Sequence, residues 1–355
     1  MTKHTTIIGI DLGDKYNRFC VLDAAEGEVQ EEGRVLCGRN QMARFFTGRG
    51  PARVVLEAGT HSAWVSALAA EAGHEALVAN PRKARAIYAN ERKSDKVDAE
   101  MLARLGRMDP KLLKPIRHRD RKTQADLAVL KARQAAVETR TKLVNQIRGM
   151  VKSFGGRLPA CSTPYFHVKT KGHVPEELWP ALKPLYDALE QITATIKEFD
   201  RRCKALCESE AYQDTQALRS VPGVGALTSL AFVTVLEESE RYPTSRSVGA
   251  YLGLTPKQDQ SGESNPQLRI TKAGNDFLRK LLVGSAQYIL GRFGPDSQLR
   301  RWGKAIEERG GRNAKKRAVV AVARKLAVIL HRLWSTGEVW EPFPEPGAPQ
   351  AEDAA

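Results

Sequence analysis

Cysteine is scarce in these 355 residues. The five present (Cys20, Cys37, Cys161, Cys203 and Cys207) are an odd number without the paired spacing of a zinc module. That pattern argues against a disulfide scaffold or a structural zinc site, and a reducing compartment fits it best. Cys203 and Cys207 stand one helical turn apart and read as packing residues. Long apolar runs are also missing, so no segment is expected to span a bilayer. The N-terminus leads directly into a strand-like run with no secretory signal, and a cytosolic location is expected. Acidic residues lag behind basic ones, 41 against 56, leaving a formal charge of +15. Such an excess favours a polyanionic partner, most simply nucleic acid.

The positive charge is clustered. From Pro81 to Lys122 there are 14 Lys and Arg against 6 Asp and Glu, and from Leu299 to Arg332 there are 11 against 2. Two such segments suit a groove for phosphate backbones. Arg92 and Lys93, in the first, are candidate nucleic-acid contacts. They lie in the stretch Asn90 to Leu105, which reads as a helix start with Ser94 as N-cap. Asp95 and Asp98 share one face of that helix and border its apolar stripe of Val97, Met101 and Leu105. Carboxylates turned toward a core repel each other and lose hydration, and a divalent cation is the usual compensation.

Before this helix the pattern is α/β. Strands are expected at Thr5–Ile10, Arg18–Leu22, Glu28–Leu36, Val54–Gly59 and Glu75–Ala79, with helices at Asn40–Thr47 and Ser62–Ala72. Three hairpin-linked strands followed by helix, strand, helix, strand, helix make a ribonuclease H-like order. Asp11 would leave the central strand, Glu57 would end its neighbour, and Asp95 and Asp98 would approach from the last helix. Four acids at those points suit Mg²⁺, or Mn²⁺, acting on a phosphate. Asp14, Glu91 and Glu100 read as solvated.

From Asp120 to Phe154 the chain is helical in period, with a stripe of Leu127, Leu130, Val137, Leu143 or Val144, Ile147 and Val151. Gly155-Gly156 breaks it, and helix is expected to resume by Pro184, in a first turn, and to run to Glu208. Two long helices joined by a loop suggest a coiled-coil hairpin arm. Val221-Pro222-Gly223-Val224-Gly225 then reads as a helix-hairpin-helix connector, where Gly223 and Gly225 would let backbone N–H groups approach a phosphate. A loop rich in polar and turn residues follows, holding Lys257, Ser261 and Ser264, with Arg269 and Lys272 behind it. Either serine is a candidate to attack phosphorus. Helices are expected at Asp276–Ile289 and Ala314–Trp334, and the Pro-rich tail from Glu338 is expected to be disordered. The domains expected are therefore 1–118 (ribonuclease H-like), 119–210 (helical arm), 211–337 (mainly α) and 338–355 (tail).

Gly9-Ile10-Asp11, Leu56-Glu57-Ala58, Ser94-Asp95-Lys96-Val97-Asp98-Ala99 and the run from Gly253 to Gly262 together resemble the DEDD transposases of insertion-sequence family 110. The resemblance implies a RuvC-like N-terminal domain with a catalytic and metal-binding tetrad of Asp11, Glu57, Asp95 and Asp98, and a nucleophilic serine at Ser261. It implies that DNA is cut and rejoined through a phosphoserine intermediate, with a structured guide RNA pairing donor and target DNA, in a homo-oligomer between dimer and tetramer. Here Glu263 follows where family members often carry Gly or a basic residue. Arg269 and Lys272 are expected to hold the phosphate. The alternative reading is a RuvC-type junction nuclease in which water attacks and Ser261 is structural.

Overall fold

The computed structural model describes residues 4–81, 95–262, 264, 266 and 268–344. The chain divides into two compact units, Met1–Asp120 and Arg121–Ala355.

The first unit is a five-stranded sheet with helices on both faces. Its elements are β1 (Thr6–Asp11), β2 (Tyr16–Asp23), β3 (Val29–Leu36), α1 (Arg39–Thr47), β4 (Arg53–Glu57), α2 (Ser62–Glu71), β5 (Glu75–Ala79) and α3 (Asp95–Met108). The spatial order is β3-β2-β1-β4-β5. The β1–β2 and β2–β3 pairs are antiparallel, while β1–β4 and β4–β5 are parallel. Strand alternation sorts the side chains: Ile8, Ile10, Val54 and Leu56 pack with Phe45, Phe46, Val65 and Leu68 of α1 and α2. Ile7, Cys20 and Val55 face Ala99, Leu102 and Ala103 of α3.

The direction of α3 follows from its contacts. A Cβ on Gly9 would lie 2.0 Å from the Ala99 carbonyl oxygen, so the helix backbone rests directly on β1. At its far end the Gly106 carbonyl accepts from Arg53 Nη1 (3.1 Å), and Arg107 Nε donates to the Ala24 carbonyl (3.0 Å) in the β2–β3 turn. Arg53 starts β4, and Asp23 stands opposite Thr6, which starts β1. Helix α3 therefore runs antiparallel to β1 and β4. Its N-terminal turn lies at the edge where both strands end.

The second unit is helical. Two long helices, α4 (Arg121–Ser153) and α5 (Trp179–Cys207), pack along a seam spaced alternately by three and four residues. The α5 side runs Leu182, Tyr186, Leu189, Thr193, Ile196, then Cys203 and Cys207. On α4, Val144 and not Leu143 is the buried member of that pair. The start expected at Pro184 is corrected: α5 begins at Trp179, with Pro180 in its first turn and Pro184 inside the helix. Pro184 is exposed, one turn into the helix and off the seam, and it removes one i→i−4 hydrogen bond there.

Beyond a 3₁₀ turn follow α6 (Thr215–Arg219), α7 (Ala226–Leu236), α8 (Ser245–Tyr251), α9 (Asp276–Leu290), α10 (Gln298–Glu308) and α11 (Ala314–Thr336). Helix α7 is apolar nearly all round, so it has no face for water, and every residue from Thr228 to Leu236 is buried. The disorder expected from Glu338 is not found in the described part of the tail. Trp340 packs against the core, its N–H donates to Ser220 Oγ (3.0 Å), and the Gln298 N–H donates to the Pro342 carbonyl (2.9 Å). One indole anchor and two backbone hydrogen bonds outweigh the composition of that segment.

Candidate functional site

Two places hold the candidate residues, one in each unit. In the first unit Asp11 closes β1. Ile10 stands opposite Leu56, so Glu57 ends the adjoining parallel strand one register step further on. Alternation puts both carboxylates on the α3 face, with Gly9 and Val55 before them. Asp98 lies in the first turn of α3, half-buried, one turn before the buried Leu102. Asp95 opens that helix. The fold thus directs Asp11, Glu57 and Asp98 to one edge of the sheet. Among the described residues, no three His, Cys, Asp or Glu side chains are gathered closely enough to hold a metal ion. Arg92 and Lys93 lie outside the described residues.

A histidine at the same edge escaped the sequence reading. Trp64 Nε1–H donates to His61 Nδ1 (3.2 Å), which leaves the ring proton on Nε2, 3.5 Å from Asp14 Oδ1. Its only sequence signal was position, four residues beyond the acid that ends β4.

In the second unit the serine loop is a hairpin. Its base pairs Gly253–Lys257 with Arg269–Lys272: the Lys257 N–H donates to the Arg269 carbonyl (2.9 Å), Thr271 to Thr255 (2.9 Å) and Lys272 to Gly253 (3.1 Å). At the tip, Ser261 and Ser264 exchange both backbone hydrogen bonds, at 3.1 and 3.0 Å, with Gly262 at φ 56° between them. Both serines are exposed. They are cross-strand partners at one turn.

The base is locked. A Cβ on Gly274 would stand 1.9 Å from the Tyr251 carbonyl oxygen, so the backbones interlock there. Arg279, only 8% exposed, donates from Nη1 to the carbonyls of Leu252 and Ala273 (both 2.8 Å) and from Nη2 to Asp276 (2.9 Å). Lys280, and then Arg279, holds the Asp276 carboxyl below the usual carboxylate range. Lys257, Arg269 and Lys272 are exposed on the hairpin, Lys272 with a left-handed backbone at φ 54°. Non-glycine residues seldom adopt that conformation, which makes this a strained corner.

The glycines of the Val-Pro-Gly-Val-Gly turn part company. Gly223 (φ 85°) packs on α9, where a Cβ would meet the Tyr288 ring at 2.9 Å. Gly225 is exposed and opens α7, with clear space where a Cβ would stand.

Comparison with known proteins covers both places. The DEDD transposase model of the IS110 type matches residues 8–155, and the model for transposases of the IS116/IS110/IS902 family matches residues 215–301. A putative transposase of Sinorhizobium fredii is 30% identical over 329 residues, covering 84% of this chain and 81% of that protein. The chain belongs to the IS110 family of transposases. The transposase for insertion sequence element IS1111A of Coxiella burnetii is 27% identical to it over 351 residues, 95% of this chain and 92% of its own. A pilin gene-inverting protein of Moraxella lacunata is 27% identical over 146 residues, 40% of this chain and 44% of its own. The first model spans the sheet edge of this transposase, and the second spans the serine hairpin and Arg279. Among the described residues of the transposase, no helix is long and apolar enough to cross a membrane.

Proposed function

We propose that this transposase cuts and rejoins DNA through a covalent bond between Ser261 and a DNA phosphate, and that the acids of its ribonuclease H-like sheet hold a divalent cation. The observation that carries the reading is the hairpin: a serine held exposed at the tip of a turn whose base is clamped by Arg279 and interlocked glycines. A nucleophile must be exposed to its phosphate and held in one geometry.

Ser261 Oγ forms a bond to phosphorus, the phosphorus bond to the deoxyribose oxygen breaks, and that oxygen takes up the proton that Oγ gives up. Rejoining reverses the sequence: a strand hydroxyl attacks and Oγ leaves with a proton. The phosphoester keeps the bond energy, so no nucleoside triphosphate is needed. Arg269 and Lys272 supply positive charge for the phosphate oxygens.

Asp11, Glu57, Asp95 and Asp98 would hold a divalent cation. The fit rests on donor chemistry: hard carboxylate oxygens at the ends of adjoining strands and at the first turn of α3 suit Mg²⁺ or Mn²⁺. When bound, such an ion polarises a phosphate and stabilises the attacking and leaving oxygens. The sheet order supports the ribonuclease H-like reading, with three antiparallel strands and then two parallel ones. The chain's charge and the family support further partners: donor and target DNA, a structured guide RNA, and other copies of the chain. Gly225, exposed ahead of α7, offers a backbone contact for a phosphate.

The test is to incubate the protein with Mg²⁺, donor DNA and RNA from the element's flanks, then denature and look for DNA joined to protein. The reading expects an adduct that is lost in Ser261→Ala and kept in Ser264→Ala. Cleaved DNA without an adduct would instead favour a metal-dependent nuclease with water as nucleophile.

A further inference from the structure

The described part of the C-terminal tail forms one wall of the second unit's large cleft. Helix α11 ends at Gly337, in a left-handed cap, and the chain turns back across α10. A cleft of about 960 Å³ opens between this strap and helices α8, α10 and α11. Three cations line it: Arg246 from α8, and Lys325 and Arg332 from α11. Two acids of the strap, Glu338 and Glu341, line it as well, and Glu338 pairs with Arg332 at 2.9 Å.

Two further observations mark the strap as a stand-in. The last 18 residues, 338–355, carry five acids and no Lys or Arg, in a chain whose net charge is +15. The strap also reaches the Gly-rich turn: Trp340 lines a small cavity together with Val221 and Pro222, and its backbone N–H donates to Ser220 Oγ. A cationic cleft is thus bordered by an acidic segment that has no cation of its own and that reaches the glycine turn ahead of α7. A strap needed only for packing would want the indole and not the carboxylates.

We propose that the cleft between α8, α10 and α11 is a binding site for a phosphodiester backbone, and that the acidic strap occupies its edge in competition with nucleic acid. Arg246, Lys325 and Arg332 take phosphates when the strap lifts about Gly337. The occupant's chemistry is shared by duplex DNA and structured RNA. The proposal rests on the nucleic-acid reading of the chain but not on Ser261, so loss of the adduct would leave it standing.

The test measures binding of a labelled 20-base-pair duplex of arbitrary sequence, and of a structured RNA, across a salt series. The full-length Glu338→Gln/Glu341→Gln variant keeps Trp340, and so keeps the anchor that truncation would remove. Expected is roughly tenfold tighter binding at low salt. The slope of log K against log salt should steepen by about 2 to 3, since each newly engaged phosphate contributes about 0.9 on duplex DNA. Adding Arg246→Gln, Lys325→Gln and Arg332→Gln should abolish the gain. Gain with the duplex alone, the RNA alone or both identifies the source of the backbone. A matched control, Glu198→Gln/Glu208→Gln on the α5 arm, makes the same change in net charge at exposed acids and should give no comparable gain. Unchanged affinity and slope in the strap variant, or an equal gain in the control, would overturn the proposal.

Discussion

Arg279 offers a sharp test of how the serine is held. Replacing it with Met keeps much of the buried volume and removes every donor. The carbonyls of Leu252 and Ala273 then lose their 2.8 Å partners beneath the hairpin. Leaving a buried acceptor unsatisfied costs about 1–3 kcal/mol. Asp276 is 61% exposed, so its lost ion pair adds little. The two carbonyls together predict a loss of about 2–5 kcal/mol. Four of the five tryptophans (Trp179, Trp302, Trp334 and Trp340) lie in the second unit, so urea denaturation followed by tryptophan fluorescence reports mainly on it. Below the transition the folded variant should still bind DNA but form the Ser261 adduct at least tenfold more slowly, because the hairpin base has lost its clamp. Arg279→Lys, with one ammonium for three acceptors, should fall between. A destabilisation below about 0.5 kcal/mol, the range of an ordinary surface substitution, would refute the argument, as would adduct formation at the wild-type rate in folded Arg279→Met.

Other outcomes follow from the same physics. Gly9→Ala must push α3 off β1, which should cost about 1–3 kcal/mol in thermal denaturation and lower Mg²⁺-dependent DNA cleavage, since Asp11 and Asp98 ride on those elements. His74 accepts from the Ala52 N–H (3.1 Å) and bonds the Phe46 carbonyl (3.0 Å), so His74→Ala should destabilise the first unit by about 2–4 kcal/mol, read as a lower urea midpoint. Arg140 is buried in the α4–α5 seam, its Nε unpartnered among the described residues, and burial holds its pKa down; Arg140→Leu should therefore raise the melting temperature of the second unit. Burial, helped by Glu100 and Glu32, pushes the Cys20 thiol up from 9.0 to about 11. The unfolded thiol then ionises first. Its contribution is constant below pH 9 and stability falls between pH 9 and 11, by about 3 kcal/mol, a slope that Cys20→Ala should remove.

The parts that sequence made legible are those where one residue type has one local use. Asp11 and Glu57 each follow a short apolar run, and such runs read as strands whatever surrounds them. Period alone could not reveal side chains whose partners are distant backbone. Arg279, within Phe277-Leu278-Arg279-Lys280, looks like any cation on an amphipathic helix until the Leu252 and Ala273 carbonyls are placed beside it. Arg140 sits three residues after Val137 and four before Val144, where the seam calls for an apolar side chain, so spacing and identity disagree there. In residues 338–344 averaging misled: the prolines and acids of the segment outweigh a single Trp340 in a composition count, yet one docked indole and two hydrogen bonds hold that stretch. Ser261 and Ser264 show a different limit. Sequence set them as rivals, and the structure places them opposite each other on one turn, both exposed. Position no longer separates them, so the choice passes to chemistry, and the two alanine variants are its measure.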